Sequence, residues 1–257
     1  MKCFSLVAVL AGLLAWSVSA QPVTVELSVG QEQYLPGETL TVAAKITNRS
    51  GRQLHLGAEA NWLTFNVESL DGFVVIKKSE VPVLGPFDLL SSQEATKRVD
   101  LAPCFEITKP GRYKITATMR VKDLSAEATS PSTTFDIIGG ADLWNQDFGV
   151  PAPSGVPEMR KYTLEKATYV NSQMRLYVQV TDPGEVHVIK TSLLGQMVSF
   201  SQPEAQVDRN SVLHVLWQSG AQGFSYCQVN PDGKIIKRDT YDDMGRRPRL
   251  GVQDDGE

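Results

Sequence analysis

From Val23 to about Ile138 apolar and polar positions alternate with a period of two, the signature of half-buried strands. Val23, Val25, Leu27 and Val29 share one face of such a strand. Leu40, Val42, Ala44 and Ile46 share another, with Thr41, Lys45 and Thr47 pointing away. Leu63, Phe65 and Val67 repeat the pattern, as do Tyr113, Ile115, Ala117, Met119 and Val121. Turn chemistry falls between the runs: Pro36-Gly37, Asn48 to Gly51, Asp71-Gly72 and Pro110-Gly111. Asp71-Gly72 is the sharpest hairpin signal in this half, because both residues tolerate positive φ. About seven short strands at this spacing predict a two-sheet sandwich over residues 22–138.

Periodicity stops at Gly139-Gly140, and Pro151, Pro153, Gly155 and Pro157 follow closely. Residues 139–159 therefore read as a Pro/Gly-rich linker, with Trp144 and Phe148 pinning it to a neighbouring domain. Strand patterns resume at Lys161–Val170, Met174–Thr181, Val186–Ser192, Val212–Gln218, Phe224–Val229 and Lys234–Tyr241. Asp182-Pro183-Gly184 and Pro231-Asp232-Gly233 are tight turns between them. Leu176-Tyr177-Val178 and Leu213-His214-Val215 form a faint internal echo. The fold class is all-β, with a smaller antiparallel domain or second sandwich over 160–241 and a charged, disordered tail over 242–257.

Two resemblances rest on particular residues. Tyr34-Leu35-Pro36-Gly37-Glu38, followed by a strand ending in Ile46-Thr47-Asn48, resembles the opening of many bacterial immunoglobulin-like domains. Lys109-Pro110-Gly111-Arg112-Tyr113 resembles the beginning of one of their later strands. Such domains include a β-sandwich proteinase-inhibitor family and many adhesion or spacer modules. Ile115 stands where antibody-type domains carry a Cys, so no functional residue carries over. Leu213 to Tyr241 resembles a β-propeller blade, but the residues available are too few for a closed ring of at least four blades.

The first twenty residues look like a removable export signal. Lys2 supplies the positive end, Leu6 to Trp16 the apolar stretch, and Val18-Ser19-Ala20 the small-residue cleavage pattern. The mature chain is accordingly expected in a periplasm or outside the cell. Twenty-five basic and 29 acidic side chains give a net charge of −4. Losing Lys2 makes the excess slightly more acidic, and its even spread argues against nucleic acid or an anionic membrane surface as partner. No second apolar run approaches the ~20 residues of a membrane-spanning helix.

The sequence offers little chemistry. His55, His187 and His214 are widely spaced, and no His-Glu-x-x-His or Cys-x-x-Cys occurs, so no metal or cofactor is expected. His187 and His214 could meet across a sheet. No Gly-x-Ser-x-Gly elbow is present, and nothing marks a base for Ser199 or Ser201. Cys104 and Cys227 read as small buried hydrophobes, although an oxidising compartment would permit a bridge. The chain is therefore read as a non-catalytic binding, adhesion or scaffolding protein for a protein or cell-envelope component. Trp62 is a candidate contact at the start of a strand, with a core position as its alternative. Val81 to Leu90, carrying Leu84 and Phe87, would be the protruding loop of a proteinase inhibitor, the second reading.

Overall fold

A computed structural model of the chain describes residues 21–83, 85–151, 155–169, 173–242 and 247–251. Residues 1–20, where an export signal is expected, lie outside them. The first unit comprises β1 (Val23–Val29), β2 (Gln33–Tyr34), β3 (Thr41–Asn48), β4 (Leu54–Leu56), β5 (Leu63–Ser69), β6 (Phe87–Leu89), β7 (Glu94–Asp100), β8 (Gly111–Val121), β9 (Ala126–Thr129) and β10 (Thr133–Ile137). One sheet runs β1-β3-β7 and the facing one β2-β10-β8-β5, with β9 also on β8 and β4-β6 as a small separate ribbon. The expected alternation is what closes this sandwich. Val42, Ala44 and Ile46 from one sheet, and Tyr113, Ile115, Ala117, Met119 and Val121 from the other, enter a single buried core.

Local chemistry sets the turns. Asn48 ends β3 buried, its Nδ2 donating to the carbonyls of Arg52 at 2.8 Å and Leu89 at 2.9 Å. The Tyr113 hydroxyl donates to Lys109 O at 2.6 Å and ties the turn before β8 to the core. Asp71-Gly72 does turn, Gly72 having φ +85, but no hairpin follows. β5 pairs instead with β8, in the register Leu63↔Met119 to Ser69↔Tyr113. The segment after the turn runs instead beside residues 104–106, through the bridge Lys77↔Phe105 and backbone bonds from Lys78 N–H to Cys104 O and from Glu106 N–H to Ile76 O, both 2.8 Å.

The second unit begins earlier than its periodicity implies. It contains β11 (Ala141–Val150), β12 (Glu158–Thr168), β13 (Met174–Thr181), β14 (Val188–Gln196), β15 (Glu204–Val207), β16 (Leu213–Gln218), β17 (Gly223–Val229) and β18 (Ile235–Asp242). Most of the expected linker is thus β11, paired to β12 from Ala141↔Lys166 to Val150↔Glu158. As an edge strand with a largely exposed face it shows almost no alternation, which is why it reads as irregular. Phe148 is buried and stacks on Tyr162 with centroids 4.0 Å apart. The true crossover is Ile138-Gly139-Gly140.

Two four-stranded meanders, β11-β12-β13-β14 and β15-β16-β17-β18, form this second sandwich. Leu164, Leu176, Val178 and Val180 face Leu213, Val215, Trp217, Cys227 and Val229 across its core. The Tyr162 hydroxyl reaches from one sheet to Ser211 O of the β15–β16 turn at 3.0 Å. Arg238 of β18 donates to the carbonyls of Leu193 and Leu194 on β14, joining the two sheet margins. The expected tail is partly structured. Asp242 belongs to β18, and Arg247 donates to Gln202 O at 3.2 Å while the Leu250 N–H reaches Glu204 at 3.0 Å. Residues 243–246 and 252–257 lie outside the described residues. Cys104 and Cys227 are free, buried thiols in separate sandwiches.

Candidate functional site

The two sandwiches meet where Leu35-Pro36-Gly37-Glu38, the turn between β2 and β3, seats on the outer face of β12–β14. Strand alternation sends Leu176 and Val178 into the second core, so Tyr177 between them points the other way. Tyr177, Ala167 and Tyr169 there form an apolar socket for Leu35, with Ile138 and Leu193 at its margin. Pro36 O accepts from Thr191 Oγ1 at 2.6 Å, and Gly37 O accepts from the Thr191 N–H at 3.1 Å. Glu38 and Thr191 complete a parallel β-bridge, so the first sandwich adds one strand-like step to the free margin of β14.

A polar cluster surrounds this contact. Glu38 accepts from Gln31 Nε2 at 2.8 Å and from the Leu35 N–H at 3.0 Å. Arg175 donates to Gln31 Oε1 at 3.2 Å and lies 4.2 Å from the centroid of the Tyr169 ring. The Tyr169 and Tyr177 hydroxyls are bonded to each other. Burial pushes the Glu38 carboxyl above its ordinary range, against the lowering effect of the Leu35 and Gln31 donors and of Arg175. Burial also drives the Tyr177 phenol far up, so it stays protonated.

Beside the seat a cleft of about 280 Å³ opens between the units. Tyr34, Leu35, Leu40 and Ile137 form its apolar floor. The Ala102 and Phe105–Thr108 loop of the first sandwich makes one wall and Val186–Val188 of the second makes the other. Lys78, Glu106 and His187 stand exposed along its rim. Pockets at junctions with an apolar floor and a few polar rim groups are where ligands commonly bind.

A second perturbed acid sits on the same sheet face. Glu165 is buried beside the crossover, where a Cβ on Gly140 would lie 2.2 Å from its Oε2. Burial, then Asp142 across the strand pair, then Glu185, raise its carboxyl to about 7.

The sequence-derived candidates do not gather at this junction. Trp62 is buried, its Nε1 donating to Val83 O at 2.9 Å, so the exposed-contact expectation is corrected to a core position. Phe87 lies in β6, edge-on to Trp62 at 5.7 Å and beneath the Lys97 ammonium at 4.3 Å. Leu84 lies outside the described residues. Val81, Val83 and Leu89 are all buried, so the described part of this segment is tacked into the core rather than protruding. His187 and His214 do not meet: His187 lines the cleft, whereas His214 bonds Tyr226 at 2.7 Å and Asp208 at 3.3 Å. Among the described residues no group of three or more His, Cys, Asp or Glu is placed to hold a metal ion. None of the residues of the seat stands out in the sequence except as turn or strand positions. The one usable signal is Tyr177, a large aromatic in a strand whose neighbours on both sides are also apolar, which marks a sheet covered on both faces.

No known protein family matches the sequence, and no curated protein matches it. Among solved structures, the sporulation control protein Spo0M from Bacillus subtilis aligns over 87% of this chain and 91% of its own. It does so at 9% identity and a TM-score of 0.34, a likeness that carries no argument about role. No helix among the described residues is long and apolar enough to cross a membrane.

Proposed function

We propose that the chain is an exported, non-catalytic binding and scaffolding protein, presenting loops of two docked sandwiches to a protein or another component of the cell envelope. The observation that carries this reading is the junction cleft, whose walls come from both units and whose spacing is held by the Leu35–Glu38 seat. A surface assembled in this way can hold a partner without moving. The titratable groups in and near the cleft support binding over chemistry. Both Glu38 oxygens accept internal donors, and the two tyrosine hydroxyls satisfy each other. The rim offers charges of both signs, suited to a mixed polypeptide surface rather than a single ionic group.

Site-specific photo-crosslinking in the intact envelope tests the reading. A probe at Val186 or Thr108, on opposite walls, is expected to give the same discrete adduct, and one at remote Val156 none. Equal labelling from all three positions, or none from the walls, overturns it.

A further inference from the structure

We propose that the junction between the sandwiches is a pH-gated hinge, closed while Glu165 carries a proton and opened about Gly139-Gly140 when it ionises. The geometry starts at the crossover. Ile138 is tied to the first sandwich, its N–H donating to Tyr34 O at 2.9 Å, and it packs at the margin of the Leu35 socket. Two residues on, Gly140 lies against Glu165, so that a Cβ there would meet Oε2 at 2.2 Å and the acid's own Cβ and Cδ at 3.0 Å. The docked crossover thus covers the carboxyl. Glu165 also lies opposite Tyr177 in the β12–β13 register, and Ala167, two residues further along β12, shares the socket with that tyrosine. Seat and acid occupy one sheet face, and undocking that lifts the crossover brings water to the acid. A small, mixed contact between domains leaves relative motion as the default, and a Cβ on Gly139 would meet nothing within 4 Å, so the crossover has room to swing.

The groups facing Glu165 disfavour its charge. Asp142 of β11 is its register partner, and Glu185 reaches it from the β13–β14 turn. Lys161, on the same face of β12, is held by Glu185 at 2.9 Å. On β13, the Tyr177 hydroxyl is taken by Tyr169, and Arg175 is taken by Gln31 and the Tyr169 ring. Lys190, the one charged residue of β14, pairs with Val180 and so lies on the opposite face. Glu38, from the first sandwich, adds a further acid to the seat. Burial, then Asp142, then Glu185, raise the Glu165 carboxyl from 4.5 to about 7. In the open state water restores the ordinary value. Docking is therefore fully favoured below about pH 4.5, and it weakens by up to tenfold per pH unit until about pH 7. Over that interval the docked-to-open ratio falls by up to about 300-fold.

The cleft has one wall on each unit, so the hinge would assemble that surface in acid and part it near neutrality. As regulation of the cleft this rests on the binding reading above, but the hinge itself needs no partner. The test is the distance between labels on Thr108→Cys and Val186→Cys, on opposite cleft walls, in the chain lacking residues 1–20. Cys104 and Cys227 are buried and stay unlabelled. A single short distance is expected at pH 4.5, with a longer population growing towards pH 7 and level beyond it. Glu165→Gln should stay closed at both ends of the range, and Asp142→Asn should move the transition to lower pH. His187→Gln and Glu38→Gln should keep the transition. A distance that does not change with pH, or a Glu165→Gln chain that opens as wild type does, overturns the proposal. So does loss of the transition in His187→Gln or Glu38→Gln, which would assign the switch to that group. A fixed distance together with crosslinks from both walls strikes the hinge alone, and a moving hinge without crosslinks strikes the binding reading alone.

Discussion

Gly37 and Val188 touch so closely that a Cβ on the glycine would lie 2.3 Å from Val188 Cγ1. Gly37 also has φ +75, a left-handed conformation that side chains disfavour. The contact joins two residues about 150 positions apart, one from each sandwich. Gly37→Ala is expected to cost roughly 1–3 kcal/mol from the conformation and the clash together. Hydrogen exchange should quicken at Thr191 while the cores keep their protection. Adding Val188→Ala should recover the part due to the clash.

Thr191 makes the reciprocal contact, its hydroxyl and amide both engaging the turn. Thr191→Val retains the amide and loses the bond to Pro36 O, for an expected loss of about 1 kcal/mol. Combined with Gly37→Ala the losses should fall short of additive, because both variants break one contact. Strict additivity in denaturant unfolding would show that the seat is not a unit.

Glu165 gives the protein a pH dependence of predictable sign. Its folded value of about 7 exceeds its ordinary 4.5, so the folded state holds the proton more tightly than the unfolded chain. Its stabilising contribution is full below about pH 4.5 and is lost as pH rises to about 7. Glu165→Gln should therefore be more stable than wild type at pH 8, by up to about 3 kcal/mol, and equal to it near pH 4. Melting curves at the two pH values check this. A constant difference would place the effect elsewhere.

Trp62 carries both a large buried ring and the bond that holds residue 83. Trp62→Ala should cost about 3–5 kcal/mol. Trp62→Phe should cost roughly 1–3 kcal/mol by orphaning Val83 O, and should open the 81–86 segment to proteases before the rest of the fold. Cleavage at unchanged rates would contradict the anchoring described for this segment.

Cys104 and Cys227 should resist alkylation in the native state and react together on unfolding. Both are buried, and burial pushes the Cys227 thiol up, away from the reactive thiolate. Mass spectrometry after a short iodoacetamide pulse reads this directly.

Where pattern alone is decisive, the reason is that strand alternation and turn chemistry act within a few residues. Val42, Ala44 and Ile46, or Ile115, Ala117 and Met119, must face a core together whatever lies opposite, and Pro36-Gly37 must turn. By itself the sequence determined an all-β chain. Partner choice was left to the tertiary structure, since it depends on the free energy of the whole assembled core. Asp71-Gly72 turns without forming a hairpin because β5 buries Leu63, Phe65 and Val67 better against β8. β11 is a strand because β12 offers it a ladder, although its own side chains scarcely alternate. Trp62 is buried because Val83 comes back over it, and Leu35 finds its socket on a sheet more than 130 residues further along the chain. Those contacts join distant positions through bulk packing and single hydrogen bonds, and neither leaves a periodic trace in the order of residues.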